Sequence, residues 1–92
     1  MSRLDDEQIE ERLAGLSGWE RDGEAIRKAF KHDGFVSSVE FVKAIVGPAE
    51  EMGHHPDLAI SWDTVEVTIS THSEGGLTAA DFELAKAIDG IG

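Results

Sequence analysis

Two runs of alternating residues, Leu58–Trp62 and Val65–His72, are separated only by Asp63-Thr64, and this spacing constrains the fold more than any other feature. Leu58, Ile60 and Trp62 alternate with polar or small neighbours. Val65, Val67, Ile69 and Thr71 alternate with Glu66, Thr68, Ser70 and His72. A period of two sends successive side chains to opposite faces, so each run reads as a half-buried strand. A connection this short leaves room only for a tight turn between antiparallel strands. By the same alternation His72 shares a polar face with Glu66, Thr68 and Ser70.

A second strand pair precedes this one. Trp19–Arg21 and Ala25–Lys31 flank Asp22-Gly23, a hairpin signal, although Arg27, Lys28 and Lys31 make the alternation of the second arm imperfect. Leu4, Ile9, Leu13 and Leu16 recur near helical spacing, with acidic residues in the first turn where they favour the macrodipole. Phe35, Val39, Val42, Ile45, Val46 and Ala49 mark a long amphipathic helix over Phe35–Met52, with Pro48 expected to kink or interrupt it. His54-His55-Pro56 ends that helix, because the residue before proline avoids the helical region. Thr78 opens a last helix to about Asp89, striped by Phe82, Ala85 and Ile88. The order α-β-β-α-β-β-α implies an α+β fold: a four-stranded antiparallel sheet with three helices on one face.

No repeat or linker divides the 92 residues, so residues 1–92 read as one domain. A chain of this size buries roughly 60–65% of its unfolded surface, and oligomerisation is a natural way to bury more. The net charge of −11, from 19 acidic and 8 basic residues, repels phosphate backbones and anionic membranes. It fits either a high-salt environment or ordinary solubilising charge. No run approaches the ~18 apolar residues of a membrane span, the N-terminus lacks a secretory core, and cysteine is absent. A cytoplasmic protein without nucleic-acid or membrane partners is the simplest expectation.

The candidate chemistry lies in three histidines. His54 and His55 stand at the helix-to-strand junction and His72 at the end of the last strand. Glu50, one helical turn before His54, is placed to hydrogen-bond its imidazole. From spacing alone the cluster fits either acid–base catalysis or solvated, cap-forming histidines. Metal binding is disfavoured, since adjacent residues of an extended chain point apart and no zinc spacing fits. Asp81, at the opening of the last helix, has the position of a capping acid. Trp19 and Trp62 have the character of core anchors. Gly75-Gly76 frees a loop, and His32 receives no role.

Taken together, Glu50, Gly53-His54-His55-Pro56, Trp62, Ser70-Thr71-His72 and Asp81 resemble the signature of the pterin-4a-carbinolamine dehydratases. Leu16-Ser17-Gly18-Trp19, the Phe30 strand and Gly76-Leu77-Thr78 extend the resemblance over nearly the whole chain, while Pro48 departs from the family's continuous helix. The resemblance implies a hydro-lyase, a 4a-hydroxytetrahydrobiopterin dehydratase serving pterin recycling. Such an enzyme removes water from a 4a-hydroxytetrahydropterin and yields a quinonoid dihydropterin, with no metal or organic cofactor. It implies catalytic roles for His54, His55 and His72, with His55 the general acid or base of greatest effect. Substrate contacts would come from Glu50, Pro56, Trp62, Ser70, Thr71 and Asp81, those of Ser70 and Thr71 through backbone groups. It also implies a homodimer or homotetramer, for which Phe35, Val39, Val42 and Val46 offer an apolar stripe. Two other readings keep the fold: a non-catalytic protein-binding or regulatory module, and a dehydratase of another pterin.

Overall fold

The computed structural model describes residues 2–91. Its elements run α1 (Asp6–Ala14), β1 (Glu20–Asp22), β2 (Ala25–Lys31), α2 (Phe35–Met52), β3 (Asp57–Ser61), β4 (Thr64–Ile69) and α3 (Ala79–Ile91), with a 3-10 turn at His72–Glu74. The strands form one antiparallel sheet in the order β1-β2-β4-β3, as the alternation and the α-β-β-α-β-β-α order predict. Among the described residues, no helix is long and apolar enough to cross a membrane.

The register explains the core. Ile26, Lys28 and Phe30 of β2 lie opposite Ile69, Val67 and Val65 of β4, so these side chains share the face that meets the helices. That face is closed by Ile9, Phe41, Ile45, Ala49, Phe82, Leu84, Ala85 and Ile88, all buried. Lys28 accounts for the imperfect alternation of β2. Its stem crosses the buried face, while its ammonium donates to the Ser17 carbonyl at 2.8 Å and to Asp89 at 2.9 Å. The charge also stands 4.8 Å from the Phe30 ring centroid, within cation–π range. Trp19 is a core anchor as expected, buried, with its indole N–H donating to Asp89.

Four details depart from the sequence reading. Helix α2 runs uninterrupted through Pro48, since packing of its Phe41, Ile45 and Ala49 face outweighs one missing backbone donor. Both hairpin turns sit one residue earlier or later than expected. Asp22 pairs with Ala25, leaving Gly23-Glu24 as the turn, and Ser61 pairs with Thr64, leaving Trp62-Asp63. Trp62 is therefore neither a strand residue nor a core anchor. It is 70% exposed with φ +53°, a left-handed conformation that costs a non-glycine residue about 1–2 kcal/mol. Finally, β4 ends at Ile69, so His72 belongs to the 3-10 turn and the strand's alternation does not set its direction.

The β3–β4 turn is clamped from β2. Lys31 lies 3.1 Å from Asp63, and the Thr64 hydroxyl donates to the other carboxylate oxygen at 3.1 Å. The Lys31 hydrogen bond is the largest influence on Asp63 and, against some desolvation, holds its carboxyl below the usual carboxylate range. With the folded pKa the lower one, this contribution is complete above the unfolded carboxylate pKa and is lost as pH falls through the folded value. Carboxyl-carbon NMR titration should show the Asp63 midpoint rising in Lys31→Met; an unmoved midpoint would discount the clamp.

Candidate functional site

The site begins with the end of α2. Gly53 turns the chain at φ +62°, a conformation glycine adopts without a Cβ clash, and the His54 N–H reaches back to the Ala49 carbonyl at 3.0 Å. This capping motif frees two adjacent histidines from the helix and sends them to different partners.

His54 turns toward the start of α3. Its Nε2 lies 2.6 Å from Oδ1 of Asp81, whose side chain is fully buried while that of His54 is 15% exposed. The other Asp81 oxygen accepts from the Thr71 hydroxyl at 2.8 Å and from the Thr78 backbone N–H at 2.8 Å. The second of these is half of a capping box, so Asp81 both caps α3 and holds His54. Thr71 and Thr78 hydroxyls stand 3.0 Å apart.

His55 turns instead to Glu50. Nε2 and Oε2 are 2.5 Å apart, so the turn geometry gives Glu50 to His55 and not to His54, which the one-turn spacing had indicated. Both side chains are mostly exposed, at 62% and 69%. The pair edges a groove of about 170 Å³ formed with Val42, Ile45, Val46, Ala49, Pro56 and Leu58.

His72 lines a separate cavity of about 350 Å³ with Glu24, Ala25, Ser70, Thr71, Gly75 and Gly76, a size within the range of small-molecule clefts. Its Nε2 is 3.3 Å from the Ser70 hydroxyl. Thr71 exchanges backbone hydrogen bonds with Gly76 at 3.3 and 3.4 Å, closing the loop over the 3-10 turn. The Thr71 N–H and carbonyl that the sequence reading offered to a ring are thus already engaged. His54, Ser70, Thr71, His72 and Asp81 come together around this loop. His55, Glu50 and Pro56 lie on the groove side, and Trp62 stands at the hairpin tip between β3 and β4. Thr78 was missed as a site residue; the Thr-x-x-Asp spacing of Thr78 and Asp81 was its signal, read only as a helix start.

Fold and geometry together define a class: an α+β protein with one helix-covered antiparallel sheet, carrying histidine–carboxylate pairs where α2 and α3 meet the sheet's last loop. A family model described as pterin 4 alpha carbinolamine dehydratase matches residues 2–91, and the chain belongs to that family. A provisionally named pterin-4-alpha-carbinolamine dehydratase of Roseiflexus castenholzii is 50% identical over 88 residues, covering 96% of this chain and 95% of its own. One so named from Mycobacteroides abscessus is 47% identical over 89 residues, covering 97% and 95%. The crystal structure of a transcriptional coactivator/pterin dehydratase from Brucella melitensis superposes with a TM-score of 0.93 at 34% identity over 98% of both chains. A pterin dehydratase-like RuBisCO assembly factor of the alpha-carboxysome shares the fold, with a TM-score of 0.68 at 22% identity over 80% of this chain and 88% of its own.

The two histidine–carboxylate pairs differ in energetic weight. Removing Asp81 strands buried donors and uncaps α3, so Asp81→Leu should destabilise the fold by about 2–4 kcal/mol. Glu50→Gln breaks only an exposed pair and should change stability by less than about 1 kcal/mol. Urea unfolding of both variants checks this contrast, and equal losses would contradict it.

Proposed function

We propose that the chain is a hydro-lyase that dehydrates a 4a-hydroxytetrahydropterin, supporting pterin recycling. The observation that carries this reading is the His54–Asp81 pair. An imidazole largely withdrawn from solvent and tied at 2.6 Å to a fully buried carboxylate is an oriented acid–base group, unlike a solvated surface histidine. Family membership supplies the substrate class.

The reaction asks for two proton transfers. The C4a–O bond breaks and its oxygen leaves as water, which requires a proton because hydroxide is a poor leaving group. N5 gives up its proton, and the electron pair of the N–H bond forms the C4a=N5 double bond. Imidazoles titrate near neutrality, so they serve both as donor and as acceptor, and such help is typically worth about 10²–10⁴-fold. In this reading His54 and His72 serve the 4a-hydroxyl and N5 from the loop side, and His55, set by Glu50, is the general acid or base whose loss has the greatest effect. Ser70 and Thr71 border the ring, Pro56 shapes the groove beside His55, and Asp81 acts at the junction. Trp62 walls the pocket if a second subunit brings its hairpin to it.

Freshly generated 4a-hydroxytetrahydropterin, followed by absorbance against the uncatalysed blank, tests this. Wild type should be fast, and His55→Ala and His72→Ala should each lose about 10²–10⁴-fold in kcat. Folded wild type no faster than the blank would sink the reading for this substrate.

Assembly belongs to the same proposal. Leu58 and Ile60 on the edge strand β3 and Phe35, Val36 and Val46 on α2 are exposed apolar residues, which favours a homodimer or homotetramer burying them. Sedimentation velocity should give an oligomer for wild type and smaller species for Ile60→Lys; a wild-type monomer would refute it. The same exposed residues, with the likeness to a coactivator/dehydratase, support a protein-binding role as the second reading. A cytoplasmic setting and a reaction without metal or organic cofactor complete the proposal.

A further inference from the structure

We infer that Thr78 and Thr71 form a directed hydroxyl relay that fixes the Asp81 carboxylate, so that His54 keeps a proton on Nε2 and its Nδ1 is the ring nitrogen left unengaged by Asp81. Its kinetic consequence rests on the dehydratase reading; its structural consequence does not.

The direction follows from proton counting. A hydroxyl has one proton to donate, and a carboxylate only accepts. Thr71 spends its proton on Oδ2 of Asp81 at 2.8 Å. The 3.0 Å contact between the two threonine hydroxyls is therefore donated by Thr78 to Thr71. Donors that point the same way along a chain polarise one another, which strengthens the last bond in the series.

The relay also decides which oxygen His54 meets. Oδ2 takes the Thr71 hydroxyl and the Thr78 N–H, which use its two lone-pair directions. Oδ1 is left for Nε2 of His54 at 2.6 Å. An aspartate's terminal torsion is broad and roughly two-fold, so the backbone alone does not hold its carboxylate in one plane. Two donors on one oxygen do. Because Asp81 accepts, Nε2 carries the proton, and the neutral ring has its lone pair on Nδ1. Thr78 and Asp81 are fully buried, so water does not readily replace a lost partner.

Both threonines are thus positioning residues that act through Asp81. Threonine and valine have nearly the same shape, so Thr71→Val and Thr78→Val remove hydroxyls with little change of packing, and Thr78→Val keeps the backbone N–H on Oδ2. Long-range nitrogen-15 to proton correlation spectra of His54, with kinetics on the same samples, provide the test. Wild type should show His54 as the Nε2–H tautomer. Thr71→Val should mix in the Nδ1–H form and lower kcat roughly 10-fold with KM little changed, as expected of a misaligned acid–base group. Thr78→Val should act in the same sense but less, and Thr71→Ser should restore both readouts. A wild-type Nδ1–H tautomer would overturn the inference. So would folded Thr71→Val and Thr78→Val proteins that keep both the wild-type tautomer and the wild-type kcat. Should Thr71→Val fail to fold, the wild-type tautomer and Thr78→Val still decide the matter. A wild type without dehydratase activity would refute the substrate assignment, while a tautomer shift in the valine variants would still support the relay.

Discussion

The buried carboxylate of Asp81 joins three elements of the fold: the end of α2, the loop after β4 and the start of α3. It caps α3 through the Thr78 N–H, anchors the loop after β4 through the Thr71 hydroxyl, and holds His54 at the end of α2. A carboxylate in an apolar core is costly unless each oxygen is hydrogen-bonded. Asp81 meets that condition with His54 on one oxygen and the Thr71 hydroxyl and Thr78 N–H on the other. One residue therefore both caps α3 and holds His54, and the two contacts do not compete because they use different oxygens.

The adjacent histidines show how a short turn diversifies a site. Gly53 at φ +62° lets the His54 side chain turn toward α3 while that of His55 turns back to Glu50 on α2. One imidazole sits in a buried network that fixes its orientation, and the other sits at the surface beside an apolar groove, where its pairing is worth little to stability. A cofactor-free dehydration of the kind proposed needs a group that gives a proton and one that takes it. The two neighbouring imidazoles differ in exposure and in the carboxylate each faces, so the turn gives one residue type two environments.

Much of this was legible in the residues themselves. Phe35–Met52 was readable to the residue because its apolar period is long and glycines bracket it. β2 and β4 showed in their alternation because one face of the sheet is packed there, whereas β3 alternates in sequence yet is exposed along its whole length, since it is the edge strand with no layer over it. The turns were harder to place. Aspartate-glycine is a strong local signal, yet pairing of Asp22 with Ala25 shifts that turn by one residue. Nothing local predicts a left-handed tryptophan at Trp62, which the pairing of Ser61 with Thr64 imposes. Pro48 does not interrupt the helix because the loss of one hydrogen bond is a local cost, while the packing that outweighs it is made by residues elsewhere in the fold.

The same division runs through the site. By itself the sequence determined which side chains were available, and by resemblance which family they belonged to, since residue type and spacing are written directly in the chain. The partners were decided by tertiary structure. Glu50 lies one turn from His54 and one residue further from His55, and only the turn at Gly53 assigns it to the latter. Thr71 and Thr78 meet because the bridge between Thr71 and Gly76 folds their loop back on itself. A hydrogen bond depends on angstroms and angles, and those are fixed only once α2, β4 and α3 have packed around a common core.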